Sequence, residues 1–369
     1  MSEWREYALG DILSFRTGKL DSNAAVENGK YPFFTCSPIT LKINNYAFDE
    51  NAILLAGNNA NGVFCIKRYD GKFNAYQRTY VITTQEHNID FLYYALMLQL
   101  DNFQQLSSGT ATRFLTATIL NSFKLRLPPL HNQRVIAEVL SSLDDKIDLL
   151  TRQNATLEAL AQTYFRQWFV EEARENWEEQ SLYTVINILG GGTPSTKIPE
   201  YWDGDIPWFT PKDANSLICM DTEKHITQSG LSHCNSKLYP AGTLFISARG
   251  TVGKLSICGV PMAMNQSCYA ITGKGKIPNF IAYLASEYSI AELQQNASGA
   301  VFDTITTDTF KAIRLALPAI DDNFNVEADE KLKNYYEKII ANTHQILTLQ
   351  KLRDTLLPKL VSGEVRVKN

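Results

Sequence analysis

The chain has 369 residues, 44% of them hydrophobic and 20% charged, with a formal net charge of −4. That length holds two ordinary domains plus connecting helices, and the longest apolar run, FLYYALMLQL, is too short to cross a bilayer. MSEWREY has no charged-then-apolar leader pattern and the six cysteines show no CxxC spacing, so free thiols in a reducing cytoplasm are expected, with no membrane.

Residues 1–128 read as a first α/β domain. WREYALGDI begins it as a strand or short helix, and a turn-rich stretch follows, RTGKLDSNAAVENGKYPFFTC. Two β-type runs, AILLA and VFCI, flank the polar GNNANG. KFNAYQRTYVITT is a further strand region. Residues 90–105 read as one helix, apolar at Phe91, Tyr94, Ala95, Leu98 and Phe103. The loop SSGTATRF then leads to a strand that Pro128 and Pro129 stop.

Residues 129–175 form a spacer helix with apolar residues at Ile136, Leu140, Leu143, Ile147, Leu150, Leu157, Ala161, Tyr164 and Trp168. Steps of three and four make this a heptad seam that wants a partner helix. Residues 176–318 repeat the first domain: IPWFT answers YPFFT, and GTLFISARGTVGKLSI answers NAILLAGNNANGVFCI. ASGAVFDTITTDTFKAIRLALP answers SSGTATRFLTATILNSFKLRLP without a gap, at an offset of 190. Residues 319–369 hold the second seam, at Leu332, Tyr336, Ile339, Ile346, Leu349, Leu357 and Leu360. The polar break Asn154 falls on Thr343. That layer either fixes helix register at some cost in stability or marks a bend or solvated position. The strands of the two halves agree and the loops diverge, as two recognition surfaces on one scaffold require, and as drift after duplication also gives.

The stretch GGGTPSTKIPEYWDGDIPWFTPKD, residues 190–213, closely resembles the opening of a target recognition domain in specificity subunits of type I restriction–modification systems. ARGTVGKLSI, NASGAVFDTIT, the LALP exit and the terminal LLPKLVSGEV resemble that family too, and LPPLHNQRVIAEVLSSLDDKID resembles its central conserved helical region. The resemblance covers essentially the whole chain, in order and in duplicate. Three departures stand out: FRTGKLDSN replaces GGTPS in the first half, GNNANG faces ARGTVG, and DDNFNVEADEKLKNYYEKI lacks the PPLxxQ-type opening of the first helix.

The resemblance implies an α+β protein in which two α/β target recognition domains are separated by two long α-helices packed as an antiparallel coiled coil. It implies that each domain reads half of a bipartite sequence in double-stranded DNA. Two methyltransferase subunits, carrying S-adenosylmethionine, dock on the assembly, and two motor-nuclease subunits, using ATP and Mg, complete it. The chain itself is implied to be non-catalytic and without a cofactor. Exposed helix positions such as Gln133, Arg134, Asp144, Arg152 and Arg166 are candidates for the methyltransferase surface.

Base reading needs Arg or Lys for guanine and Asn or Gln for adenine. The first domain offers Asn58, Asn59, Asn61, Gln77, Arg78, Thr112 and Arg113. The second offers Lys197, Lys212, Asp213, Ser247, Arg249, Asn265, Gln266 and Asp303, while Lys19, Lys254 and Arg113 suit phosphate contact better. Residues 1–128 carry 12 basic and 11 acidic groups and residues 176–318 carry 10 and 12, so any cationic surface must be gathered by folding or borrowed from a partner. Motifs for catalysis are missing. LPPL is the only PP and is no methyltransferase motif, and ARGTVGKLS has Ala248 where a phosphate loop needs glycine. Cys219, His225, His233 and Cys234 fit no structural zinc spacing, so no metal is expected. Two other readings stay open: a coiled-coil adaptor without sequence reading, and an intrinsic DNA nuclease or methyltransferase.

Overall fold

The two seams fold as the longest elements of the chain, helices Leu130–Arg166 and Asn323–Ser362. The structure, a computed structural model, describes residues 4–60, 62–107, 109, 112–173, 175, 177–296, 304–317 and 323–367. It divides into two compact units, Met1–Ile147 with Thr348–Asn369, and Asp148–Leu347. Each unit holds one stretch of both long helices, and in each the two stretches run antiparallel. In the first unit Leu140 shares a core with Leu357 and Leu360, and Asp144 meets Arg353 at 2.8 Å. In the second, Asn154 meets Thr343 at 3.3 Å and the rings of Tyr164 and Tyr335 stack at 6.1 Å. Ile136, Leu140, Leu150, Leu332 and Ile339 are buried; Leu143, Ile147, Leu157, Tyr336, Ile346 and Leu349 are half-buried.

The units share a plan because the sequence repeats. Strand Arg5–Ala8 pairs antiparallel with Lys124–Leu127, just as Glu179–Ser181 pairs with Arg314–Ala316. A single helical turn follows each opening strand, tied by Leu9 N to Phe123 O at 2.9 Å and by Leu182 N to Ile313 O at 3.1 Å. The first unit's main sheet runs in the order Ser14–Thr17, Thr79–Thr83, Phe48–Ala56, Ile66–Ala75, Tyr31–Phe34, Leu41–Ile43. In the second unit the corresponding order, Ile186–Gly190, Cys268–Gly273, Leu244–Ser247, Leu255–Cys258, continues to Ile218–Cys219. Trp202–Phe209 instead joins a separate three-stranded sheet.

The central strands are buried on both faces, and period 2 sorts their side chains between two cores. Ile53 and Leu55 pack on the helical side with Phe91, Leu92 and Ala95. Ala52 and Leu54 face a smaller cluster with Phe34, Phe73 and Val81. Leu244 and Ile246 likewise join the helical core of the second unit, while Phe245 packs against Phe209 and Met264. Each such side chain contributes about 1.5–3 kcal/mol by burial.

Several local expectations change. Residues 90–105 are two helices, Ile89–Met97 and Leu100–Leu106, broken at Leu98 and Gln99 with no glycine or proline to mark it. VFCI becomes strand only at Ile66, and that strand runs on to Ala75, absorbing the start of KFNAYQRTYVITT. Gln133 is 1% exposed: its amide donates to Pro128 O at 2.8 Å and accepts from Asn88 N at 3.0 Å, closing the helix N-terminus onto the domain. Asp144 bonds both Arg353 and the Tyr94 hydroxyl, the latter at 2.6 Å. Neither Gln133 nor Asp144 is therefore a free docking position. Arg134, Arg152 and Arg166 are exposed.

On helix Asn279–Asn296 the Tyr283 hydroxyl lies 3.0 Å from Glu158 Oε1 and 2.9 Å from Glu287 Oε1, and Gln162 Nε2 donates to Glu287 at 2.9 Å. One phenol proton cannot serve two carboxylates at once. Burial holds the Glu287 carboxyl above its usual range, against the opposing pull of the Tyr283 and Gln162 hydrogen bonds. A raised folded-state value means the contribution is present below the ordinary glutamate range and is lost as pH rises through the folded value. Glu287→Gln is thus expected to raise the melting temperature at about pH 7.5 and to leave it unchanged near about pH 4, below both values. Melts across that range check it, and an equal displacement at both ends would contradict the assignment.

Candidate nucleic-acid interface

Polar loops leave the strand ends of each unit, and the same backbone hydrogen bonds gather them in both. Gly57 N donates to Arg78 O at 2.8 Å, and Ala248 N to Ser267 O at 2.7 Å. Leu115 N donates to Gly57 O at 2.9 Å, and Ile305 N to Ala248 O at 3.0 Å. Tyr76 N reaches Phe34 O, and Asn265 N reaches Phe209 O, both at 2.9 Å. The scaffold that positions the divergent loops is therefore conserved between the halves down to individual donors and acceptors.

In the first unit, Asn58 and Asn59 form a two-residue strand paired with Phe114 and Arg113, so part of GNNANG is ordered by pairing. The Arg78 guanidinium lies over the Phe114 ring at 5.3 Å, and Arg113 donates to Ser107 O at 3.3 Å. Gln77 N donates to Leu20 O at 2.9 Å, which sets Lys19 beside the Gln77–Arg78 turn. Lys19, Gln77, Arg78 and Arg113 are exposed; Asn58, Asn59 and Thr112 are half-buried. Asn61 lies outside the described residues. Sequence reading missed Cys36, whose thiol donates to Asn58 Oδ1 at 3.0 Å and steadies that amide.

The second unit has a cleft of about 660 Å³ whose walls include Lys212, Asp213, Arg249, Lys254 and Asn265, all singled out from sequence. Glu223 and Lys224 also line it and were missed, because nothing in their sequence context distinguishes them from a solvated turn. Asp213 organises the wall: it accepts from Thr210 N and Oγ1, both at 2.8 Å, and from Glu223 N at 2.9 Å. Arg249 is bridged to Thr304, the counterpart of the Asn58–Phe114 pairing. Gln266 is exposed and its Oε1 accepts from the Thr193 hydroxyl. Lys197 is exposed on the turn before Pro199 and does not line the cleft. Asp303 lies outside the described residues.

Ser247 corrects the expectation of base contact. It is fully buried, its hydroxyl donating to Thr251 O and accepting from Lys254 N at 2.9 Å. It shapes the ARGTVG turn from beneath and has no surface to offer. The four Cys and His residues considered for zinc are engaged separately, Cys219 with Asp221 O, His225 with Asp221, His233 with Ser229 O and Cys234 with Leu231 O. Among the described residues no helix is long and apolar enough to cross a membrane.

Comparison with known proteins agrees with this duplicated geometry. The specificity subunit of the type I restriction enzyme EcoDI of Escherichia coli is 37% identical over 186 residues, 48% of this chain and 40% of that protein. The MjaIX specificity subunit of Methanocaldococcus jannaschii is 27% identical over 186 residues, 49% of this chain and 42% of that protein. The chain thus matches less than half the length of those two relatives. The HindI specificity subunit of Haemophilus influenzae is 23% identical across 99% of this chain and 100% of its own length. The crystal structure of the type I restriction–modification S subunit from M. genitalium has the same fold, with a TM-score of 0.65 at 17% identity over 97% of this chain and 96% of that one. A family profile described as "Type I restriction modification DNA specificity domain" matches residues 1–159 and 174–351. The chain therefore belongs to the family of type I restriction–modification DNA specificity domains and carries that domain in two successive copies.

Proposed function

We propose that this chain is the non-catalytic specificity subunit of a type I restriction–modification assembly. In this reading residues 1–128 and 176–318 are target recognition domains, each reading one half of a bipartite DNA sequence, and residues 129–175 and 319–369 are the helical spacer. The carrying observation is the matched set of backbone hydrogen bonds that presents GNNANG in one half and ARGTVG in the other. A scaffold held constant while its polar loops differ suits two readers of different sequences.

The first long helix has 37 residues, a rod of roughly 55 Å at ~1.5 Å per residue. Half-sites on one face of DNA recur every ~34–36 Å, so such a rod sets a spacing of one to two turns. Exposed Arg134, Arg152 and Arg166 suit the docking of methyltransferase subunits, which bring S-adenosylmethionine; motor-nuclease subunits bring ATP and Mg. The chain carries a net charge of −4, so tight and salt-sensitive DNA binding belongs to the assembled, cytoplasmic complex.

Expression with the companion methyltransferase in a methylation-free host, followed by mapping of modified adenines, is expected to give one bipartite motif with a fixed spacer. Exchanging GNNANG should alter one half of it and exchanging ARGTVG the other. A stable complex that methylates nothing, or methylates without a motif, would sink the reading.

A further inference from the structure

The charged lining of the second unit's cleft is four cations, Lys212, Lys224, Arg249 and Lys254, against two carboxylates, Asp213 and Glu223. Lys212, Arg249 and Lys254 are exposed cations there. The amide and Asp213 oxygens beside them each accept an intramolecular hydrogen bond. Asn265 Oδ1 accepts from Ser267 N at 3.0 Å, Gln266 Oε1 from Thr193, and both Asp213 oxygens from Thr210 and Glu223 N. These bonds fix the direction of both amides and of Asp213, each amide oxygen keeping one further lone pair.

Glu223 is the exception. It is exposed, it lines the cleft, and its carboxylate makes no hydrogen bond or ion pair among the described residues. Its backbone is fixed on both sides, by its own N–H to Asp213 and by Trp208 N bonded to Thr222 Oγ1 and Lys224 O, each at 2.9 Å. A free carboxylate next to a DNA-binding surface repels phosphate. It is useful there only against a donor on a base edge, and in the major groove the donors are the exocyclic amines, cytosine N4 and adenine N6.

We propose that Glu223 is a specificity-determining residue, the one cleft carboxylate with no hydrogen bond or ion pair among the described residues, reading an exocyclic base amine while Arg249 and the neighbouring lysines read guanine O6 and N7. A G·C pair presents that combination, acceptors on one base and an amine on the other. The inference rests on the DNA-reading function proposed above.

The test is the methylome of the assembled complex with Glu223→Ala and Glu223→Gln. One position of the half-site assigned to the second domain should lose its base preference by about 5- to 150-fold, the other positions keeping theirs. A relaxed C·G position identifies cytosine N4, and a relaxed A·T position identifies adenine N6. Folding is checked on the purified complex by an unchanged melting temperature. An unchanged motif would overturn the assignment, as would uniformly increased methylation of the same motif, which is what simple relief of phosphate repulsion gives. If the unmutated complex shows no motif, the DNA-reading function itself falls and this inference with it.

Discussion

Alanine at Gly191 is expected to cost about 3–5 kcal/mol, while alanine one residue earlier, at Gly190, is expected to stay within about 0.5 kcal/mol of the parent protein. The difference is where a Cβ would point. At Gly191 it would lie 2.1 Å from Asn265 O and 2.6 Å from Met264 O, both main-chain atoms that cannot rotate away. At Gly190 nothing lies within 4 Å. The clash would push apart the chain segments that bring Asn265 into the cleft, so the loss falls on fold and recognition together. Gly18 stands at the matching point of the first unit, its Cβ position 1.7 Å from Ala75 O, and Gly18→Ala should behave like Gly191→Ala. At about 2–4 °C per kcal/mol, thermal melts separate these outcomes readily. Equal effects at Gly190 and Gly191 would show that close approach is not why the glycines are there.

That pair also explains why the altered motif of the first half left its architecture intact. FRTGKLDSN has lost GGTPS as a string, but it keeps glycine where the chain passes under its neighbour, and the packing needs only that residue. Heptad seams and strand runs were legible for the same reason, since periodicity encodes which face is buried. The direction of a polar side chain is not encoded that way. Gln133, Asp144 and Ser247 read as exposed or reactive, yet each is drawn inward by partners 45, 50 and 7 residues distant, Asn88, Tyr94 and Lys254. The break at Leu98 and Gln99 has no local signature, and half-buried Leu98 and Leu100 both pack on the core around it. Glu223 escaped notice because its role depends on its place in the cleft beside an engaged Asp213, which only the folded loops reveal.

The polar layer between the long helices offers a choice between a register device and a tolerated cost, and magnitudes decide it. Asn342, 1% exposed, donates to Gln153 Oε1 at 2.9 Å and Asn154 Oδ1 at 2.8 Å, and Asn154 donates to Thr343 Oγ1 at 3.3 Å. Among the described residues the buried Asn342 Oδ1 has no hydrogen-bond partner, a cost of about 1–3 kcal/mol. Slipping the helices by one heptad would forfeit much more. It would break the Asp144–Arg353 pair and pull Leu140, Leu357 and Leu360 out of the first unit's core and Leu332 out of the second's, at about 2–5 kcal/mol for each leucine. Register is therefore held by the domain cores, and the layer is redundant for it. Replacing Asn154 and Asn342 by leucine and Thr343 by valine is expected to stabilise the chain by about 1–3 kcal/mol, since it removes the buried polar groups together and leaves only exposed Gln153, which water satisfies. The melting temperature should rise while the spacer between methylated half-sites stays single-valued. Mixed spacer lengths in the methylome of this variant would reverse the conclusion and make the layer the register device after all.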